Sequence, residues 1–296
     1  MDNEGAQSVY EVAVVGESGF LGSAVVSALE NGGHTVRGFS PERPAIRGRV
    51  LDPALTGPNL RAVVWCASRM NPRLVASEPE LAEADLADVE NMVAALAELD
   101  APPHLILLSS GGTVYGPPAQ PPFNEAMAPA PVNAYGDAKL AQEQVVLDGR
   151  IPATVLRIAN AYGPGQRPAP GQAVLAHWLT AIAHDEPVRL YGDAHATRDY
   201  VYVEDIAHAV VDTLGRLPAG AVVNIGSGVA TSLEDLLAVV REVVAPREVE
   251  VERSPGRVTD TTHSVLDVTL ADVMLGWQPR VGLAQGVRAM WEWMNQ

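Results

Sequence analysis

Short apolar runs of strand length alternate with longer segments of helical period through the first half of the chain. The first run, Val12–Val15, precedes a helical segment at residues 20–29, and a second run follows at residues 35–39. The alternation continues in three further runs and two helical stretches, at residues 62–67, 105–108, 154–158, 81–99 and 134–147. Strands that alternate with helices form βαβ units. The pattern predicts an α/β fold with a doubly wound parallel sheet.

The sequence pattern changes after Tyr162, where a loop rich in glycine and proline leads into short helices, strands and turns. This change predicts a smaller C-terminal α/β lobe beside the main domain. We expect the main domain to comprise residues 1–163 and 199–228, and the lobe residues 164–198 and 229–296. Proline and glycine also mark residues 116–131, which predicts a surface loop.

Composition narrows the choice of partners and compartment. The chain has 296 residues, of which 36 are acidic and 20 are lysine or arginine, for a formal net charge of −16. Such a charge disfavours nucleic acid and anionic membrane surfaces. A single cysteine, Cys66, allows no internal disulfide, and no residue spacing indicates a metal site. We see no signal peptide or membrane span, and expect a cytoplasmic protein.

The segment GESGFLG at residues 16–22 follows the first strand and opens the first helix. Backbone N–H groups and the helix dipole at such a turn can bind a dinucleotide pyrophosphate. The spacing GxxGxxG differs from GxGxxG, and glycine-rich turns also serve plain packing. Because of the strand-loop-helix context, we predict a Rossmann-type cofactor site whose phosphate loop includes Gly16, Gly19, Phe20, Leu21 and Gly22.

The second strand ends at Ser40, where an NAD-specific site would usually carry an acidic residue. A hydroxyl followed by Arg43, with Arg37 and Arg47 nearby, can accept a 2′-phosphate. The sequence therefore favours NADP(H) as the cofactor, with NAD(H) as the alternative. The arginines would have no role in binding if they are only solvated side chains of a surface loop. Asp52 either contacts the adenine amino group or starts a turn before Pro53.

Lys139 is the only lysine in the chain, and Tyr135 lies four residues earlier. In a helix the two side chains share one face, one turn apart. An adjacent ammonium and a positive nicotinamide ring favour the phenolate, so we expect the pKa of Tyr135 to fall below its usual value near 10. The pair predicts an acid/base tyrosine and a lysine that binds the cofactor ribose. The alternative is an exposed tyrosine beside an exposed lysine.

Seven segments together resemble the extended short-chain dehydrogenase/reductase family of NAD(P)-dependent nucleotide-sugar epimerases, dehydratases and ketoreductases. They cover nearly the whole chain: GESGFLG, SSGGTVYG, YGDAK, LRIANAYGPGQ, RDYVYVEDIA, NIGSG and LGWQP. The resemblance implies that the main domain binds the dinucleotide and the lobe binds the nucleotide sugar. Family members are often dimers through the helix that carries YxxxK, so we expect a homodimer, although packing within the subunit would give the same apolar pattern.

The resemblance also implies roles for individual residues. Tyr135 is the catalytic acid/base and Lys139 its partner, while Ser109 and Ser110 lie beside the nicotinamide. Thr113 binds the sugar and substitutes for a hydroxyl that many members carry where this chain has Gly111. The sugar diphosphate is expected to contact three residues, Asn160, Arg198 and Arg257. For Arg198 the alternative is a salt bridge with Asp199 or Glu204, and for Arg257 one with Asp260.

Two reactions fit these residues. A 4-ketoreductase delivers hydride once from NADPH to a ready-made TDP- or UDP-linked 4-keto-(6-deoxy)hexose, whereas a 4-epimerase oxidises and re-reduces its sugar with tightly bound NAD. SSGGTVYG and NAYGPGQRP resemble the epimerases, but Ser40 and Arg43 resemble the ketoreductases, and cofactor choice favours the ketoreductase. A non-catalytic Rossmann sensor is the third hypothesis; it would not need the Tyr135 and Lys139 pair.

Overall fold

The computed structural model describes residues 9–117, 119–255 and 263–296. Its strands are β1 (Glu11–Val15), β2 (Thr35–Phe39), β3 (Ile46–Arg47), β4 (Val50–Leu51), β5 (Leu60–Trp65), β6 (His104–Ser110), β7 (Ala153–Ile158), β8 (Asn160–Tyr162), β9 (Val188–Tyr191), β10 (Thr197–Arg198), β11 (Tyr200–Tyr202), β12 (Ala221–Ile225), β13 (Thr231–Ser232), β14 (Val251–Ser254) and β15 (His263–Ser264). Its α-helices are α1 (Phe20–Asn31), α2 (Pro72–Ser77), α3 (Glu80–Leu96), α4 (Gly111–Val114), α5 (Ala134–Asp148), α6 (Val174–Ala183), α7 (Val203–Thr213), α8 (Leu233–Val244), α9 (Thr269–Leu275) and α10 (Leu283–Met294).

Six parallel strands form the central sheet in the order β12-β7-β6-β5-β1-β2. The order reverses direction at β1, as in a doubly wound sheet, so the predicted fold class is confirmed. Apolar side chains cover both faces because helices pack on each: α1 and α7 on one, α3 and α5 on the other. Parallel strands buried in this way are near-continuously apolar, as the sequence pattern showed.

A separate apolar cluster fills the smaller lobe, where α6, α8 and α10 pack around Trp178, Leu236 and Met290. The lobe's chain also returns to the sheet, since Leu266 and Trp277 belong to the core beside α1 and α7. The division at residues 163, 198 and 228 stays a prediction.

Residues 116–131, predicted as a surface loop, are partly buried. Phe123 is 3% exposed and stacks on Tyr115, with 5.1 Å between ring centroids. Its backbone exchanges hydrogen bonds with Val265 and Asp267, each 2.8 Å long. An aromatic ring among the prolines therefore anchors this segment to the sheet core.

A buried ion pair joins α5 to the middle of the sheet. Arg157 Nη2 of β7 lies 2.7 Å from Glu143 Oε2 of α5, and the two side chains are 5% and 1% exposed. Ser109 Oγ of β6 donates to Glu143 Oε1 at 2.5 Å, and Arg157 Nη1 donates to the Tyr115 hydroxyl at 2.8 Å. Because each charge is paired and hydrogen-bonded, the pair fixes where α5 lies on the sheet.

We predict that Glu143→Ala lowers the free energy of unfolding by about 3–5 kcal/mol, because it leaves the Arg157 guanidinium buried without a counter-charge. Chemical denaturation measures this loss. The matched control is Arg189→Ala, which breaks the exposed Arg189–Glu252 pair and should change stability little. Equal losses in the two variants would contradict the importance of the buried pair.

Candidate active site

The segment at residues 16–22 forms a tight turn between β1 and α1. Gly16 has φ of +91°, a conformation that favours glycine, and a Cβ at Gly22 would overlap the Gly16 carbonyl oxygen. The α1 N-cap, Gly19, makes no side-chain capping hydrogen bond. The first backbone N–H groups of any helix have no intrahelical partner. Those of Phe20, Leu21 and Gly22 are therefore without a side-chain cap. This tight turn, whose backbone leaves no room for a Cβ at Gly22, presents free amides and fits the pyrophosphate of a dinucleotide.

Tyr135 and Lys139 lie on one face of the first turns of α5. The helix is capped by Asn133, whose Oδ1 accepts from the Gly136 N–H at 2.9 Å. The Lys139 ammonium is 5.9 Å from the centroid of the Tyr135 ring, and it donates to Gln142 Oε1 at 3.2 Å. Lys139 is 5% exposed and Gln142 is fully buried, so the lysine is not a surface cation.

Burial shifts the two groups in opposite directions. It raises the pKa of Tyr135 to about 12, although the nearby Ser110 side chain lowers it. It also lowers the pKa of Lys139 to about 8, despite the nearby carboxylates of Asp85 and Glu143. The expected lowering of the Tyr135 pKa is therefore not seen in the chain without cofactor. The desolvation cost of the phenolate is larger than the effect of the contacts that favour it.

Ser110, rather than Thr113, is the hydroxyl that contacts Tyr135. The Ser110 side chain lies near the Tyr135 hydroxyl and lowers its pKa, whereas Thr113 Oγ1 turns back toward the Ser110 carbonyl oxygen at 3.4 Å. A Cβ at Gly111 would lie 2.6 Å from Leu266 Cδ1, so leucine occupies the space of a side chain there. The substitution by Thr113 stays a prediction.

Ser109 has its hydroxyl engaged elsewhere. It is 5% exposed and bonded to Glu143, on the opposite side of the strand from Ser110. Successive side chains of a strand point to opposite faces, so the two serines cannot both lie beside one ligand through their hydroxyls. The predicted contact of Ser109 with the cofactor is without support from this geometry.

A small sheet of β13, β10 and β15 brings Arg198 beside Ser264 and Thr197 beside His263. Arg198 Nη1 donates to the Thr197 carbonyl oxygen at 2.9 Å. It forms no ion pair within residues 9–117, 119–255 and 263–296. Asp199 is directed away, and it accepts from Ser227, Gly228 and Leu266.

Asn160, another residue expected to contact a diphosphate, lies next to this small sheet, because its Nδ2 donates to the Asp199 carbonyl oxygen at 3.0 Å. Arg257 lies outside the described residues. The geometry of Arg198 is compatible with phosphate binding, because a guanidinium with no carboxylate partner among the described residues can donate two hydrogen bonds to an oxyanion.

The end of β2 differs from the expectation for a 2′-phosphate site. Ser40 Oγ donates to Glu42 Oε2 at 2.7 Å, and the Arg43 guanidinium lies 5.1 Å above the Phe39 ring. Arg37 is paired with Glu11 at 2.8 Å. Asp52 caps a short 3-10 helix by accepting from the Ala54 N–H at 2.9 Å, which is the turn interpretation of that residue.

Two residues of this site have no signal in the sequence: Gln142, which accepts from Lys139, and Glu42, which accepts from Ser40. Ser110 was expected beside the nicotinamide, but its proximity to Tyr135 was not predicted. Glu143 repeats the one-turn spacing after Lys139, which could have suggested a shared helix face. The contacts of the others depend on side-chain direction, which periodicity does not give.

Residues 12–226 match the model of the family described as NAD dependent epimerase/dehydratase family. The chain belongs to this family. The resemblance to extended short-chain dehydrogenases/reductases is confirmed, and the protein is an enzyme of the family. None of the helices in the described part of the chain has the length and apolar character needed to cross a membrane.

Relatives with two kinds of activity are similar to the chain over most of its length. A UDP-glucose 4-epimerase from Mycolicibacterium smegmatis is 31% identical over 300 residues, covering 93% of this chain and 95% of that protein. A dTDP-6-deoxy-L-talose 4-dehydrogenase (NAD(P)(+)) from Kitasatospora kifunensis is 32% identical, covering 95% and 94%. The structure of Thermus thermophilus UDP-glucose 4-epimerase with NAD matches with a TM-score of 0.83 and 26% identity, covering 96% and 99%.

We predict that Lys139→Met raises the free energy of unfolding at pH 7 by about 1–3 kcal/mol, because it removes a buried ammonium. The folded pKa of about 8 is below the ordinary value of 10.5, so the unfolded chain binds more protons between these values and wild-type stability rises with pH. The difference between the proteins should shrink from pH 7 to pH 9.5 in thermal unfolding.

The control for this prediction is Arg288→Met, which removes an exposed cation from α10. It should change stability little at either pH. A constant difference between wild type and Lys139→Met at both pH values would contradict the assigned burial cost.

Proposed function

We propose that the protein is a nucleotide-sugar 4-epimerase that uses NAD held at the β1–α1 turn. Acid/base catalysis is supported by one observation: Tyr135, Ser110 and Lys139 lie together at the carboxyl edge of the sheet. Catalytic sites of doubly wound sheets lie at this edge. The family's relatives include UDP-glucose 4-epimerases, which supports a nucleotide sugar as the substrate class.

Cofactor choice separates the epimerase from the ketoreductase. The carboxylate of Glu42 accepts from Ser40 at the end of β2, and a carboxylate beside the adenosine ribose disfavours a 2′-phosphate through like-charge repulsion. This contact supports NAD(H) over the NADP(H) that Ser40 and Arg43 predicted. A redox-neutral cycle needs no pool of reduced cofactor, so NAD supports the epimerase.

The residues of the chain supply proton transfer and orientation. Tyr135 exchanges a proton with the sugar 4-hydroxyl, and the nearby Ser110 hydroxyl orients the phenol. Arg198 binds the diphosphate and so fixes the sugar at a set distance from the tyrosine. Bound NAD, held at the β1–α1 turn, would supply the hydride acceptor for the sugar C4 and the hydride donor for the return step.

Lys139 provides a fixed positive charge near the phenol. Its ammonium is 5.9 Å from the Tyr135 ring and is held by the neutral amide oxygen of Gln142 rather than by a carboxylate. Because the ammonium is hydrogen-bonded to a neutral acceptor and not to a carboxylate, its charge can favour the phenolate and its N–H groups can donate to the ribose hydroxyls of the cofactor.

The second candidate is the NADPH-dependent 4-ketoreductase of a TDP- or UDP-linked 4-keto-(6-deoxy)hexose. It is favoured by the similarity, over 95% of the chain, to a dTDP-6-deoxy-L-talose 4-dehydrogenase that carries NAD(P)(+) in its name. The two candidates share Tyr135 and Lys139 and differ in whether reduced cofactor is consumed. A homodimer is part of the proposal for either candidate.

The deciding experiment incubates the purified enzyme with UDP-glucose, UDP-galactose and the corresponding TDP-sugars, without reductant, and identifies products by NMR. We expect interconversion of C4 epimers and release of NAD when the protein is denatured. Oxidation of NADPH in step with reduction of a TDP-4-keto-6-deoxyhexose, without epimer formation, would overturn the epimerase in favour of the reductase.

Tyr135→Phe should lower turnover by about 10²–10⁴-fold because it removes the acid/base hydroxyl. Binding of the nucleotide sugar, measured by calorimetry, should remain. The control is Tyr10→Phe, which alters a tyrosine stacked on His34 at the start of β1 and should not change turnover. Retained turnover in Tyr135→Phe would contradict the acid/base role of Tyr135, whereas cofactor binding without any turnover in wild type would favour the non-catalytic Rossmann sensor.

We also predict that Ser110→Ala lowers kcat by about tenfold, the cost of one hydrogen bond to the reacting phenol. Thr113→Val should have a smaller effect on kcat, because its hydroxyl faces the Ser110 carbonyl oxygen. Steady-state kinetics of both variants measures this order. The reverse order would support the substitution of the missing hydroxyl by Thr113.

A further inference from the structure

The phosphate loop carries an unusual side chain, Glu17, directly after its first glycine. Its carboxylate lies on Gly38 of β2, where a Cβ at Gly38 would overlap both carboxylate oxygens and their carbon. The missing side chain of Gly38 therefore makes room for the Glu17 carboxylate.

The backbone holds Glu17 in this place. The N–H groups of Gly16 and Glu17 both donate to the Phe39 carbonyl oxygen, at 2.8 and 3.0 Å. The loop is thereby tied to the last residue of β2, which pairs in register with Val15 of β1. Two hydrogen bonds to one carbonyl oxygen hold the Glu17 backbone beside the end of β2.

The position of Gly38 on the strand brings the carboxylate close to the ribose site. Gly38 is two residues before Ser40, which directly follows β2 at the position where an acidic residue usually binds the ribose. Phe39, between them, points into the core, and Arg43 lies over its ring. The end of β2 therefore has the Glu17 carboxylate on Gly38 and, two residues later, a serine that is bonded to Glu42.

We infer that Glu17 determines cofactor specificity: its carboxylate accepts a hydrogen bond from the adenosine ribose hydroxyls of NAD(H) and repels the 2′-phosphate of NADP(H). A carboxylate accepts strongly from a hydroxyl, whereas two anions at this distance repel. The acidic group that the end of β2 lacks thus comes from the phosphate loop. This inference rests on the proposed function only in requiring a nicotinamide dinucleotide.

The test is an equilibrium titration of nucleotide-free protein with NADH and with NADPH, without sugar, followed by nicotinamide fluorescence. We expect wild type to bind NADH more tightly than NADPH by at least about tenfold, the value of one charge-assisted hydrogen bond. Glu17→Gln, which keeps the shape and removes the charge, should reduce this ratio about five- to tenfold and raise the affinity for NADPH.

Two further variants sharpen the result. Glu30→Gln neutralises an exposed glutamate near the end of α1 and should leave both affinities unchanged. Gly38→Ala should displace the Glu17 carboxylate and weaken NADH binding, and Glu17→Gln decides the question if this variant folds poorly. Equal wild-type affinities, or an unchanged ratio in Glu17→Gln, would overturn the inference.

The outcome is separate from that of the epimerase assay. If Glu17→Gln changes the ratio of NADH to NADPH affinity but no epimer forms, the proposed reaction is rejected and the inference about Glu17 stands. If epimers form but Glu17→Gln leaves this ratio unchanged, the proposed reaction stands and the inference is rejected.

Discussion

The ion pair between Arg157 and Glu143 is the constraint on which the site depends. It joins β7 to α5 in the interior, and Ser109 of β6 completes the coordination of the carboxylate. Buried charges of this kind tolerate little displacement, because each must keep its partner. The start of α5 is therefore held beside the end of β6, and Tyr135 meets Ser110 there.

The same burial that positions these groups sets their protonation. Desolvation raises the pKa of Tyr135 and lowers that of Lys139 to about 8, so at neutral pH the phenol is protonated while Lys139 remains mainly an ammonium. The phenol is thus kept as a proton donor in the chain alone. Its activation as a base requires further positive charge in the site, which couples proton transfer to the presence of an oxidised nicotinamide.

The net charge of −16 means that any bound phosphate must be met by local groups. In the proposed function these groups are the uncapped amides of α1 and the guanidinium of Arg198. At the end of β2 the Glu42 carboxylate is bonded to Ser40 and the Glu17 carboxylate lies on Gly38, while Arg43 lies over the Phe39 ring. We propose that the two carboxylates make this end of the site less favourable for a phosphate than the other end.

The sequence by itself determined the elements that depend on local pattern. Alternating apolar runs predicted the strands and helices of the sheet, the glycines predicted the turn at residues 16–22, and the one-turn spacing predicted that Tyr135 and Lys139 share a face. These features follow from backbone geometry over a few residues, so periodicity is sufficient to find them. The family motifs also predicted which residues lie at the carboxyl edge of the sheet.

Only the tertiary structure decided which side chains meet across the sequence. Leu266 fills the space beside Gly111, Ser110 rather than Ser109 contacts Tyr135, and Glu17 lies in the gap left by Gly38. Each contact joins residues from different elements, and its existence depends on side-chain direction and on the volume left by a neighbour. A linear pattern carries neither quantity, because both arise when the sheet and its helices pack together.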